Sequence, residues 1–96
     1  MAVSNRTHVS IIADILDTAK TYTFEGQKGV TVTHLIRKAN VPHSRLSGIV
    51  SELTSRGLLH EIPEESVKYR ISEKGLEFLK AYNQFKGFAE GFGLRV

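Results

Sequence analysis

The side chains best able to act on another molecule are hydroxyls and bases gathered in the middle of the chain. Between Pro42 and Gly57 run Ser44, Ser47, Ser51 and Ser55, with Arg45 and Glu52 among them, and the segment before Pro42 carries Arg37 and Lys38. At about 100° per residue, Ser44, Ser47, Gly48, Ser51 and Ser55 share one side of a helix, with Arg45 and Glu52 on its shoulder. So small a face lets a helix lie close to another surface, and its hydroxyls donate to phosphate oxygens. It holds no Asn or Gln, and Arg45 is its one long basic side chain, so the bidentate contacts that separate one base from another are scarce. The implied chemistry is phosphate-backbone binding with modest sequence preference.

Catalysis is poorly supported. No two of the four histidines, His8, His34, His43 and His60, stand at helical ligand spacing, and none has a carboxylate partner in a motif. There is no nucleophile elbow and no phosphate-binding glycine loop. The chain is therefore read as not an enzyme, with no metal, no cofactor and no evident small-molecule ligand. His34 and His43 are expected to flank the phosphate-binding surface. With no cysteine, disulfides and thiolate metal sites are both absent, which fits a reducing compartment. Gly26-Gln27-Lys28-Gly29 has the Gly-x-x-Gly form of a KH-domain loop, but it precedes a β-prone Val30-Thr31-Val32, the wrong context for that module.

The serine face needs elements to position it. Val32, Leu35, Ile36 and Ala39 share one side of a short helix, with Thr31 as its N-cap. Asn40-Val41-Pro42 breaks the pattern, because Pro42 disfavours helical geometry at Val41 and suits the first turn of a new helix. That second helix, His43 to Arg56, has an apolar face of Leu46, Ile49, Val50 and Leu53, and Gly57 closes it in the left-handed region. Two helices joined by so tight a turn form a helix-turn-helix, whose second helix addresses duplex DNA. Next come two extended stretches, Leu58 to Ile62 and Val67 to Ile71, joined by Pro63-Glu64-Glu65-Ser66. They read as a hairpin, or wing, with Val67, Tyr69 and Ile71 on an apolar face and Lys68 and Arg70 on a basic one. Lys68 and Arg70 are the expected phosphate contacts of the wing. Glu64 and Glu65 should keep its tip out of the minor groove.

Toward the N-terminus, Ser4 or Asn5 can cap a first helix with an apolar stripe of Val9, Ile12, Ile15, Leu16 and Ala19. Its pattern is lost at Thr21-Tyr22-Thr23-Phe24. At the other end, Ser72 and Glu73 open a last helix, on which Leu76 and Leu79 face the wing and the first helix. Phe78, Tyr82, Phe85, Ala89 and Phe92 follow at spacings of 4, 3, 4 and 3. This heptad seam is too aromatic to leave in water on a small domain, and implies a homodimer through a coiled-coil-like helix pair. Gly87, Gly91 and Gly93 each cost about 1 kcal/mol inside a helix, so the helix is expected to fray or stop near Gly87. Gly87-x-x-x-Gly91 matches a membrane dimer motif, but Lys86 and Glu90 beside it do not suit lipid.

At 96 residues, 41% hydrophobic and 24% charged, the chain has the makings of a small soluble domain. No run approaches the roughly 18 apolar residues of a membrane span, and the N-terminus lacks a signal peptide's apolar core. A cytoplasmic protein without a membrane partner is expected. Net charge is +3, yet Gly26 to Gly57 holds five basic residues (Lys28, Arg37, Lys38, Arg45, Arg56) against Glu52 alone, a net of +4. Phosphate binding needs such a footprint.

The order of elements, with the phrases IIADIL, LIRKAN, SELTSRGLL and YRISEKGLEFLKAY, resembles the archaeal winged helix-turn-helix family of small dimeric DNA-binding proteins with a C-terminal dimerisation helix. The resemblance runs from about Arg6 to Phe92. It implies an α+β, mainly α fold, with a winged helix-turn-helix over residues 1–72 and a dimerisation helix over 73–96. It further implies a homodimer on double-stranded DNA, associated with the nucleoid, acting in transcription regulation or chromosome organisation. Its DNA-facing residues are then Arg37, Lys38, His43, Ser44, Arg45, Ser47, Ser51, Lys68 and Arg70. The alternative is a winged helix that binds protein instead of DNA.

Overall fold

The structure, a computed structural model, describes residues 7–24 and 28–95. Four helices surround a small sheet: α1 (His8–Phe24), β1 (Val30–Thr31), α2 (Val32–Ala39), α3 (His43–Ser55), β2 (Leu59–Ile62), β3 (Lys68–Ile71) and α4 (Glu73–Glu90). The strands lie in the order β1-β3-β2, all antiparallel. The expected hairpin is therefore the larger part of a three-stranded sheet, and Val30-Thr31 supplies its third strand. The register pairs Val30 with Tyr69 and Thr31 with Lys68.

Helix α1 is the hub, packing on α2, on α4 and on β3. Three-sided contact explains why it buries Ile11, Ala13, Ile15, Leu16 and Ala19, a wider sector than the expected stripe. Val9, in the first turn, is 42% exposed instead. The Ser10 N–H donates to Thr7 Oγ1 at 3.0 Å, so Thr7 caps the helix. Ser4 and Asn5, the caps expected from sequence, lie outside the described residues.

The helix also runs through Thr21-Tyr22-Thr23-Phe24, where the apolar pattern fails. Tertiary bonds override weak local preference there. Thr23 Oγ1 donates to the Ala19 carbonyl at 2.6 Å and accepts from the Ile71 N–H at 3.2 Å, tying the last turn of α1 to β3. Tyr22 meets His34 of α2 through a hydroxyl-to-imidazole hydrogen bond, with ring centroids 4.5 Å apart.

The helix-turn-helix follows the sequence closely. Thr31 Oγ1 accepts from the His34 N–H at 3.3 Å, and α2 ends at Asn40, whose φ is 56°. The Asn40 N–H returns to the Ile36 carbonyl at 3.0 Å, a left-handed cap that Asn tolerates better than most residues. Leu46, Ile49, Val50 and Leu53 of α3 are all buried, as their spacing requires. At the far end Gly57 has φ 80°, its N–H donating to the Thr54 carbonyl at 3.1 Å while the Leu58 N–H donates to Leu53 at 2.9 Å. These two bonds make a Schellman cap and turn the chain sharply into β2.

Helix α4 starts against that turn. Ser72 is buried, and its Oγ accepts from the Gly75 N–H at 3.0 Å. Its hydroxyl donates to the Gly57 carbonyl at 2.6 Å, with the Leu58 carbonyl 3.0 Å away as a second acceptor. Gly75 sits so close that an added Cβ would lie 2.8 Å from Ile71 Cγ1 and nearer still to the Leu58 carbonyl oxygen. Leu79 and Tyr82 then join the main core. The first half of α4 thus belongs to the same packed body as the winged unit.

The helix does not stop at Gly87. It continues to Glu90, and the Gly93 N–H donates to Glu90 at 2.9 Å while the Leu94 N–H donates to Ala89 at 3.0 Å. The glycine cost is met by this second Schellman closure, not avoided by ending early. Because Gly75 leaves no room for a methyl group against rigid backbone, Gly75→Ala should lower stability by about 1–3 kcal/mol, the usual cost of overpacking. Urea unfolding followed by circular dichroism measures this, and an unchanged midpoint would mean that α4 can shift at no cost.

Candidate functional site

The outer side of α3 is as polar as the sequence suggested. His43, Ser44, Arg45, Gly48, Ser51 and Ser55 are exposed and Ser47 is half-buried. No side chain caps the first turn of α3, whose N-cap position is Pro42, so its leading amides are free to donate outward. Arg37 and Lys38, in the last turn of α2, are exposed as well, where cations also suit the helix C-terminus.

The five bases of the central stretch are not equivalent. Lys28 Nζ pairs with Glu64 Oε2 at 3.0 Å, and Arg56 Nε with Glu52 Oε2 at 3.3 Å, with His8 Nε2 3.7 Å from the other Glu52 oxygen. Among the described residues, Arg37, Lys38 and Arg45 make no ion pair. The Lys28–Glu64 contact also partly offsets the acidity of the wing tip. Both surface pairs are exposed enough to contribute little to stability, but they decide which cations remain available to an anion.

The sheet register divides the wing into two faces. Glu61 is opposite Tyr69 and Leu59 opposite Ile71, whereas His60 is opposite Arg70 and Ile62 opposite Lys68. Paired residues share a face, and the buried Leu59 and Ile71 mark theirs as the inner one. Lys68, half-buried, and Arg70, exposed, therefore project from the outer face, as the alternation predicted. Val67, assigned to the apolar face from sequence, lies before the strand and is exposed.

This arrangement brings together residues that the sequence reading kept apart. Ser47, Val50 and Ser51 of α3, Val32 of α2, and Glu61 and Tyr69 of the inner wing face line one cleft of about 340 Å³. Glu61 was overlooked. The signal was present, since period-two counting from Leu59 puts Glu61 on the same face as the buried Leu59, although its side chain stays exposed there. The serine row thus has Glu61 and Tyr69 across from it, and Lys68 and Arg70 lie on the far side of the same sheet.

His34 is placed differently from expectation. It is half-buried between α1 and α2, held by Tyr22, and does not flank an exposed surface. The dimer seam divides too. Tyr82, at 9% exposure, is part of the core, Phe78 packs partly against that core, and Ala89 is covered at 3% where the chain folds back after α4. Phe85 and Phe92, at 57% and 71%, remain exposed, and with them Phe88 and Leu94. Phe88 and Phe92 stack edge-tilted at 5.1 Å. Among the described residues there is no cluster of three or more metal-ligating side chains, and no helix is long and apolar enough to cross a membrane.

The sequence profile of the winged helix-turn-helix family matches residues 5–90. Among solved structures, the DNA-binding protein Sso10a-2 from Sulfolobus solfataricus superposes with a TM-score of 0.76 at 21% identity, over 91% of this chain and 85% of that one. AF1382 from Archaeoglobus fulgidus superposes with a TM-score of 0.66 at 18% identity, over 79% of this chain and 84% of that one. No curated protein matches.

Tyr69 offers a check on the cleft. Burial, and then the nearby Glu61 carboxylate, raise its pKa above the ordinary 10.0. The folded chain then holds this proton more tightly than the unfolded one, so the associated stability is complete below about pH 10 and is lost as pH rises through the folded value. In Glu61→Gln the phenol should ionise at lower pH than in the parent protein while staying above the unperturbed value, as read by absorbance at about 295 nm. An unmoved titration would separate Glu61 from Tyr69.

Proposed function

The chain belongs to the winged helix-turn-helix family, and from that premise we propose that it binds double-stranded DNA as a homodimer, acting as a transcription regulator or as an architectural protein of the chromosome. The observation that carries this reading is the set of three cations, Arg37, Lys38 and Arg45, exposed and without ion-pair partners among the described residues, beside a serine-rich face on the second helix of a helix-turn-helix. In this reading α3 approaches the major groove. Ser44, Ser47 and Ser51 donate to phosphates, His43 and Arg45 sit at the leading turn, and Lys68 and Arg70 meet the backbone from the outer wing face. Few side chains on α3 can make bidentate base contacts, which favours modest specificity. The fold shared with Sso10a-2, described as a DNA-binding protein, supports the same choice of ligand.

Dimerisation is proposed through the exposed end of α4. Phe85, Phe88 and Phe92 recur at helical spacing, and with Leu94 they form an apolar patch of the kind that marks an interface. Phe78, Tyr82 and Ala89, the other positions of the seam, are covered or partly covered within the chain and add little to that exposed patch. A two-fold dimer would carry two α3 helices to one duplex.

Fluorescence anisotropy with several unrelated duplexes at low and moderate salt tests DNA binding. Similar affinities with a steep salt slope would mark an architectural protein, one outstanding duplex a regulator, and no binding at low salt would overturn the proposal in favour of a protein partner. Replacing Arg37, Lys38 and Arg45 by alanine should weaken all duplexes alike and flatten the salt slope by about one unit per lost contact; unchanged affinity would remove this surface. For the dimer, Phe85→Asp should sediment as a monomer, and a persistent dimer would place the interface elsewhere.

A further inference from the structure

The cleft between α3 and the inner wing face joins Ser47 and Ser51, which the DNA reading uses, to a carboxylate, Glu61, which it does not. Its size, about 340 Å³, is in the range of small-ligand sites. Its lining combines the apolar Val32 and Val50 with the hydroxyl-bearing Ser47, Ser51, Thr54 and Ser55 of α3, and with Tyr69 and Glu61 of the wing. Glu61 is the one charged residue lining it, and no cation pairs with Glu61 among the described residues. The other acids nearby are differently placed: Glu64 is paired with Lys28 and Glu52 with Arg56. A phosphate placed beside Glu61 itself would meet like charge.

From these residues we propose that the cleft binds a small organic cation, a primary alkylammonium, with its nitrogen at Glu61 and its hydrocarbon chain over Val32 and Val50. An ammonium group has three N–H donors and no acceptor. Glu61, the Tyr69 hydroxyl oxygen and a serine hydroxyl oxygen are matching acceptors, and an aromatic ring beside a carboxylate adds cation–π attraction. A divalent metal fits less well, since it requires several oxygen ligands with more than one carboxylate in most protein sites. The Tyr69 pKa is raised by burial first and by the Glu61 carboxylate second, which agrees with an unpaired carboxylate near the phenol. Ser47 and Ser51 belong to both proposals, but the site requires no DNA and its test contains none, so its failure is distinguishable from failure of the function proposed above.

The test is a titration of the full chain, without DNA, with n-butylammonium chloride, followed by backbone amide shifts in ¹⁵N-¹H spectra at constant ionic strength. Saturable shifts are expected at Ser47, Ser51, Glu61 and Tyr69. They should weaken at least tenfold in Glu61→Gln and persist in Glu65→Gln, which removes an exposed acid at the wing tip; neutral 1-butanol should not reproduce them. Equal binding by Glu61→Gln, equal loss in Glu65→Gln, or the same shifts with 1-butanol would each overturn the site. Retained spectral dispersion in both variants excludes unfolding as the cause of a loss.

Discussion

The Ser72 hydroxyl binds together the parts of this fold that must hold a fixed relation. It accepts from the first turn of α4 at Gly75 and donates to the carbonyl at Gly57, where α3 ends. The Ser72 N–H donates to the Leu58 carbonyl at 3.2 Å, which closes the same junction from the backbone side. A buried hydroxyl left unpaired costs about 1–3 kcal/mol, so these bonds are strongly coupled to the surrounding packing. Lys74 adds a bond from Nζ to the Arg56 carbonyl at 3.1 Å. The end of α3, the root of the wing and the start of α4 therefore share one joint, and Gly75 permits the approach that makes it. The angle between α3 and the wing, and with it the cleft, is set at this joint.

Charge is then distributed over a rigid frame. The central stretch has a net of +4, but that sum includes Lys28 and Arg56, which face carboxylates. Pairing Lys28 with Glu64 ties the loop before β1 to the wing tip and reduces the local repulsion of an incoming anion. The surplus positive charge is concentrated at the end of α2 and the start of α3, on Arg37, Lys38 and Arg45. Negative charge from Glu61 lies on the inner face of the wing, beside the same helix. The surface is thus a junction of opposite fields rather than a uniform basic patch, and each side favours a different kind of ligand.

The elements were readable wherever one local rule dominated. Thr31, Asn40, Pro42 and Gly57 each have a backbone preference strong enough to mark an end of α2 or α3, and Leu46, Ile49, Val50 and Leu53 show their burial by spacing alone. The failures have a common cause in long-range contact. Thr23 is helical because its hydroxyl accepts from Ile71, 48 residues away, and Val30-Thr31, β-prone by composition, finds its strand partner only in β3; neither partner is visible in a local window. His34 was assigned to a surface by its position on α2, while Tyr22 on another helix holds it half-buried. For the site, the hydroxyl row and the basic stretch were evident from type and spacing, but which of its cations are paired was not, since Lys28 meets Glu64 from 36 residues away. Glu61 was not, because its importance depends on the sheet register that turns it toward α3.

The two halves of α4 obey different constraints, and this bears on assembly. Through Tyr82 the helix contributes side chains to the core, so its direction is fixed by α1 and the wing root. Beyond Tyr82 the apolar residues Phe85, Phe88 and Phe92 have no comparable cover within the chain. A helix with no tertiary support and three glycines would be expected to fray. Here the Gly93 and Leu94 amides return to Glu90 and Ala89, satisfy the last carbonyls and cover Ala89. The closure preserves helical geometry up to Glu90 and holds the phenylalanines on one projecting surface. A frayed end would present the same residues as a mobile cluster with a larger entropy cost on association; a closed end presents them preorganised. The glycines therefore do not by themselves weaken the case for a helix-end interface, because the last of them supplies the turn that finishes it.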